Sequence, residues 1–166
     1  MAHRIQNFGT LATTALREDA LAIAEAGYAA INTGEALRRK LRLGKGELHI
    51  GDASYRLAGR RIFFVGIGKC AFSAARAIED IFDDQLTGGI ALDVSAFEGT
   101  PLTKIETYIG THPLPSEVNV QATKRIIEFL SGREESDLVI MLISGGGSTL
   151  LCLPNTGMTC TDESAL

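Results

Sequence analysis

Residues 138–151 read LVIMLISGGGSTLL. Six apolar residues with several branched side chains predict a strand, Leu138–Ile143, of the kind found at the centre of a parallel sheet and buried on both faces. Three glycines straight after it lower local stability, because glycine loses the most conformational freedom on folding. The gain is backbone that can curl closely around a ligand, with bare N–H groups and the start of the next helix facing it, an anion-binding arrangement. A tight strand-to-helix turn would need only one glycine. Ser144-Gly145-Gly146-Gly147-Ser148 at the carboxyl end of a buried strand therefore reads as a ligand site, since such strand ends hold ligands in α/β sheets.

Outward from this stretch the periodicity alternates between strand and helix. Upstream, a helix is expected from about Glu117 to Leu130, with Val118, Ala122, Ile126, Phe129 and Leu130 apolar, and strands at Ile105–Ile109 and Gly89–Val94. Before these, a helix from about Lys69 to Phe82 carries Ala71, Ala74, Ala75, Ile78, Ile81 and Phe82 on one stripe, and follows a second all-apolar strand, Ile62–Val65. Residues 47–50 and 54–58 alternate around Gly51-Asp52 as a hairpin. A helix over residues 10–31 with Leu16, Ala20, Ile23, Ala24 and Ala30 on one face, and a short basic helix from Thr33 through Leu41, begin the chain. Strands and helices in alternation imply right-handed crossovers. The expected fold is a doubly wound, mostly parallel Rossmann-like sheet with helices on both faces, preceded by a short helical segment and hairpin. Downstream, residues 162–166 read as the first turn of a helix, so residues 1–166 are expected to form one α/β domain of a longer protein.

The chain has 166 residues, 45% hydrophobic and 22% charged, with a net charge of −4. That balance is ordinary for a globular protein and gives no electrostatic reason to expect nucleic acid or an anionic membrane as partner. No apolar run approaches a bilayer span, and the first residues lack a signal-peptide stretch. Cys70, Cys152 and Cys160 share no metal-ligand spacing and read as reduced thiols of a cytoplasmic protein.

Two further loops follow strands. Val65-Gly66-Ile67-Gly68-Lys69-Cys70 satisfies neither common phosphate fingerprint: Ala71 stands at the third glycine of the dinucleotide pattern, and Phe63 where a Walker A loop needs glycine. Asp93 is a weak candidate for the ribose-binding carboxylate. Lys69 is expected in the first turn of the helix, at the positive end of its dipole, a placement unfavourable by about 0.3–1 kcal/mol unless an anion is held beside it. A lysine that snorkels to solvent is the alternative. The third loop, Gly110-Thr111-His112-Pro113-Leu114-Pro115-Ser116, ends on a helix cap. Substrate binding, proton transfer and satisfaction of a carbonyl all stay open for His112. In a parallel sheet the three loops gather at one edge, placing Gly66, Gly68, Lys69, His112, Ser144, Gly145, Gly146, Gly147 and Ser148 around one crevice. Phosphoryl transfer needs positioned cations and backbone donors more than covalent chemistry, and these residues suit it.

GIGKCAFSAARAIED (66–80), GTHPLPSEVN (110–119) and DLVIMLISGGGSTLLCLP (137–154) resemble the N-terminal domain of the glycerate 2-kinases, and the leading REDAL segment at 17–21 fits as well. The resemblance implies ATP- and Mg2+-dependent phosphorylation of D-glycerate to 2-phosphoglycerate. It implies a catalytic role for Lys69, and substrate or phosphate contacts from Ser144 to Ser148. It also implies a second α/β domain that closes the cleft, without which the 166 residues are expected to be inactive and to expose an apolar patch that a homodimer could cover. Cys70, Ser116 and Thr149 depart from the family pattern, which has alanine, aspartate and alanine there. Two other readings compete: a non-catalytic module for a small anionic or phosphorylated metabolite, and an NAD-dependent oxidoreductase, which the missing ribose-binding carboxylate weakens.

Overall fold

The computed structural model describes residues 3–96 and 99–165. Leu166, at the end of the expected last helical turn, lies outside them. Four parallel strands, β4 (Ile62–Ile67), β5 (Leu86–Asp93), β6 (Ile105–Ile109) and β7 (Leu138–Ile143), form a sheet in the order β6-β5-β4-β7. Two crossovers run one way from β4 and the next doubles back, so β4 and β7 flank the point where the winding reverses.

The alternation of side chains along β4 assigns its two faces. Phe64 points into a cluster with Ala71, Ala74, Ala75, Ile78 and Phe82 of α4 (Ala71–Phe82). Four small or branched residues on that stripe let the helix lie close to the sheet. Phe63, Val65 and Ile67 point the other way, against Ala122, Ile126 and Phe129 of α5 (Glu117–Ser131). With both faces covered, every residue of β4 is buried, which is why its sequence is continuously apolar. Glu79 of α4 is buried as well, and its Oε1 accepts the N–H groups of Thr103, Lys104 and Ile105 at 2.9, 2.7 and 3.2 Å, pinning the entry to β6.

The N-terminal part adds α1 (Phe8–Leu11), α2 (Ala15–Ala30), α3 (Thr33–Lys40) and an antiparallel sheet of β1 (Leu41–Gly44), β2 (Glu47–Ile50) and β3 (Ala53–Arg56). Leu41, Leu48 and Leu57 carry that small sheet into the α4 side of the core. No helix among the described residues is long and apolar enough to cross a membrane.

Three expectations are corrected. Leu138–Ile143 is an edge strand of the sheet described here, with Met141 and Ile143 51% and 65% exposed. An apolar run does not by itself distinguish an edge strand from a central one. The helix expected over 10–31 breaks after Leu11 and restarts where Thr14 accepts the Arg17 N–H at 3.3 Å. No residue of α2 is buried, and Leu16 and Ile23 are 80% and 74% exposed, so its apolar stripe is largely uncovered among the described residues. Finally, the basic helix stops at Lys40, and Leu41 opens β1, a third strand beside the expected hairpin.

Candidate functional site

In a parallel sheet every strand ends at the same edge, and here the loops after β4, β6 and β7 meet there. The first and last are neighbours because β4 pairs with β7, with Ile67 opposite Ile143. Backbone bonds then knit the two loops together. Ser144 N–H donates to the Ile67 carbonyl at 2.8 Å, and Lys69 N–H to the Gly145 carbonyl at 2.9 Å. The Ser144 hydroxyl accepts the Cys70 N–H at 3.3 Å and donates to the Ile67 carbonyl at 3.4 Å.

This close approach dictates two of the glycines. Gly68 has φ +118°, and a Cβ there would lie 2.2 Å from Ser144 Oγ and 2.7 Å from the Ser144 carbonyl oxygen. Gly146 has φ +88° and caps the one-turn α6 (Gly147–Leu150). Gly66 and Gly147 are packing glycines, pressed on the Phe64 ring and on Ile143. Gly145 faces open space, with nothing within 4 Å of where a Cβ would stand.

Lys69 does not occupy the first turn of α4. Cys70 is the cap and Ala71 the first helical residue, because the left-handed turn at Gly68 and the bonds from Lys69 and Cys70 to the neighbouring loop delay the helix. The expectation of bare N–H groups also needs revision. Gly68, Lys69, Cys70, Ser144 and Gly147 all donate within the fold: Gly68 to the Leu92 carbonyl at 3.0 Å, and Gly147 to the Ser144 carbonyl at 3.2 Å. Among the described residues, the N–H groups of Gly145, Gly146 and Ser148 remain without an acceptor inside the fold. They share the loop with the exposed Ser148 hydroxyl and border the exposed Lys69 side chain.

His112 completes the group. A Cβ at Gly146 would meet His112 Cδ2 at 3.3 Å and Lys69 Cε at 3.4 Å, so the imidazole and the lysine stem flank the middle glycine. The His112–Pro113 peptide is cis. Lys69 contributes a positive charge here, and the N–H groups and Ser148 contribute dipoles. The ensemble can hold a small anion and offset charge that develops on it.

One residue of the site has a larger part than its sequence position suggests. Asn119 reads as the partner of the Ser116 helix cap, and its Oδ1 does accept the Ser116 N–H at 3.2 Å. Asn119 is also fully buried, accepts the Thr111 N–H at 2.9 Å, and donates through Nδ2 to the carbonyls of Thr111, Thr149 and Leu150 at 3.1, 3.3 and 3.4 Å. A single amide thus fastens the His112 loop to the end of the triglycine loop. An amide among the residues that α5 turns to the core, beside Val120, Ala122, Thr123 and Ile126, is the signal that could have found it. Asp93 is likewise buried and committed: its carboxylate accepts the N–H groups of Phe72, Val94 and Ser95 at 3.0, 2.7 and 3.3 Å. It anchors the start of α4. No group of three or more His, Cys, Asp or Glu among the described residues could hold a metal ion.

The comparisons with known proteins agree with this architecture. Residues 19–166 match the family model described as "Domain of unknown function (DUF4147)". The chain is 29% identical over 147 residues to the glycerate 2-kinase of Pyrococcus horikoshii, covering 89% of this chain and 32% of that protein. It is 31% identical over 99 residues to the D-glycerate 2-kinase of Thermotoga maritima, covering 60% and 24%. The crystal structure of glycerate kinase from Thermotoga maritima superposes with a TM-score of 0.70 at 26% identity, over 89% of this chain and 32% of that one. A crystal structure of a Pyrococcus horikoshii protein superposes with a TM-score of 0.76 at 29% identity, over 90% and 34%. The chain spans about a quarter to a third of the length of these curated relatives. It belongs to the DUF4147 family, the N-terminal domain of the glycerate kinases.

Proposed function

We propose that this domain serves an ATP-dependent kinase that phosphorylates D-glycerate to 2-phosphoglycerate, and that residues 1–166 form one α/β domain of a two-domain enzyme. The observation that carries the reading is the convergence of Lys69, His112 and Gly146 where the two loops are bonded together. The relatives named glycerate 2-kinase, matched over about a third of their length, support it.

Ser144 and Gly68 build the frame. Gly145, Gly146 and Ser148 supply N–H donors to an anionic group of the substrate, and His112 borders the same space. In the reaction the glycerate hydroxyl oxygen bonds to the γ-phosphorus, the bond to the β-bridging oxygen breaks, ADP leaves and the hydroxyl proton is released. Lys69 lowers the barrier by offsetting charge on the phosphoryl oxygens, the largest service a fixed cation offers to such a transfer. ATP brings Mg2+ to enzymes of this chemistry. The described residues hold no cluster suited to bind that ion alone, and the phosphates themselves are its natural ligands. Cysteines in reduced form suit an enzyme of the cytoplasm.

The test is coupled ADP release with D-glycerate in the gene product that contains these residues, with the product identified by phosphorus NMR. Glycerate-dependent ADP release yielding 2-phosphoglycerate is expected. ATP hydrolysis indifferent to glycerate, or no turnover, would contradict the reading.

A further inference from the structure

Cys152 and Cys160 hold their sulfur atoms 3.5 Å apart, and both residues are buried. With Val120 they form a small cluster separate from the two that cover the sheet. The backbone fixes both positions. Cys152, just past α6, donates its N–H to Thr123 Oγ1 at 3.0 Å. Cys160 opens α7 (Cys160–Ser164), where Thr159 Oγ1 accepts the Asp162 N–H at 3.2 Å and Asp162 Oδ2 accepts the Thr159 N–H at 2.8 Å. Between them the chain turns back at Gly157, whose φ is +89°, and Met158 N–H donates to the Asn155 carbonyl at 2.9 Å.

Two features exceed what packing requires. The Cys152 thiol donates to Glu163 Oε2 at 2.9 Å, so a carboxylate stands ready to take its proton. A buried thiol that only fills space behaves as a small hydrophobe and needs no such partner. Cys160 also borders a cavity of about 220 Å³ lined by Val120, Leu153, Pro154 and Met158, ample room for a molecule little larger than water.

We propose that Cys152 and Cys160 are a reversible oxidation site, a dithiol that a hydroperoxide converts to a disulfide. The inference stands apart from the kinase reading. With hydrogen peroxide, the Cys160 sulfur attacks one peroxide oxygen, the O–O bond breaks, and the thiol proton leaves with the departing oxygen as water. The sulfur is then a sulfenic acid, and the peroxide has been reduced. The Cys152 sulfur next bonds to the Cys160 sulfur and the S–O bond breaks. The Cys152 proton passes to Glu163 and on to the departing hydroxide as a second water. Two thiols and one peroxide thus become one disulfide and two waters. The sulfurs must close from 3.5 Å to about 2.05 Å. Thr161, Asp162 and Glu163 are exposed, so α7 can follow Cys160 without disturbing the main core.

The experiment treats the folded gene product that contains these residues with hydrogen peroxide, alkylates the remaining thiols and maps the peptides without reduction. A peptide pair linked through Cys152 and Cys160 is expected, and dithiothreitol should return both thiols. In Cys152→Ser the Cys160 sulfenic acid should persist and be trapped by dimedone. Glu163→Gln should slow disulfide formation on the order of 10²-fold, the lower end of what a positioned base contributes. The map of the parent decides the matter if a variant fails to fold. Both cysteines recovered as free thiols after peroxide, or a link that forms only in urea, would overturn the proposal. Dimedone found on Cys152 instead of Cys160 would overturn the order of the steps, and an unchanged rate in Glu163→Gln would overturn the part given to Glu163.

Discussion

Replacing Gly68 by alanine should be among the most damaging single-methyl changes in the domain. Two costs add. The φ of +118° lies in a region that L side chains avoid, worth about 1–2 kcal/mol. The new Cβ would also stand 2.2 Å from Ser144 Oγ and 2.7 and 2.8 Å from the Ser144 carbonyl oxygen and carbon. The hydroxyl can rotate away, at the expense of its bonds to Cys70 N–H and the Ile67 carbonyl. The carbonyl cannot, since it belongs to the chain leaving β7. Overpacking of this kind costs about 1–3 kcal/mol. A total of about 2–5 kcal/mol corresponds to a fall in Tm of roughly 4–20 °C for a domain of this size. Thermal unfolding followed by circular dichroism measures it, with Gly145→Ala as the comparison, because position 145 has open space around it and no positive φ. Gly145→Ala should unfold within about 2 °C of the parent. Equal Tm values for Gly68→Ala and the parent, or an equal loss in Gly145→Ala, would refute the claim that the two loops are interlocked at Gly68.

Three further outcomes are expected. Asn119→Ala, which strips the amide joining Thr111 to Thr149 and Leu150, should cost on the order of 3 kcal/mol in urea unfolding, as buried partners lose their bonds; a loss below about 1 kcal/mol would show that the amide is dispensable. Burial, then the Glu163 carboxylate beside it, pushes the Cys152 thiol up to about 12, so at pH 8 in the folded protein a thiol reagent should modify half-buried Cys70 and spare Cys152. Comparable rates at both would contradict this. The Arg61 guanidinium, bonded to Asp137 at 2.7 and 2.8 Å, holds that carboxyl below the usual carboxylate range. Its stabilisation is present above the unfolded-state value near 4 and is lost as pH falls through the depressed folded-state value. The Tm gap between the parent and Asp137→Asn should therefore be present at pH 7 and shrink in acid below about pH 4, and a gap that does not change with pH would count against the pair.

Much of the architecture was legible because the strands that matter are marked by composition. Ile105–Ile109 and Leu138–Ile143 have the bounds read for them from the sequence, the first closed by Gly110 and the second by the end of its apolar run at Ser144. Leu41–Gly44 was not legible: LRLG continues a basic helix without a turn residue between them, and only pairing with β2 makes it a strand. The edge position of β7 was equally hidden, since an apolar run does not say how many neighbours a strand has. At the site, the gathering of the three loops follows from parallel order. The use of the Lys69 and Cys70 N–H groups by a loop more than 70 residues away does not, because nothing local reveals that two strand ends will be neighbours. Asn119 illustrates the same limit. Its cap lies three residues away and is visible, while its bonds to Thr149 and Leu150 cross about 30 residues.

Lys69 carries the account's central claim, that the exposed cation beside Gly146 offsets charge on a transferred phosphoryl group. The most direct measurement is kcat for Lys69→Ala in the gene product that contains these residues, with D-glycerate and ATP saturating and Tm recorded alongside. Removal of one electrostatic stabiliser predicts a fall in kcat on the order of 10²-fold or more. Because the side chain is exposed, Tm should stay within about 2 °C of the parent. A kcat within a few-fold of the parent would contradict the account and make Lys69 a surface lysine.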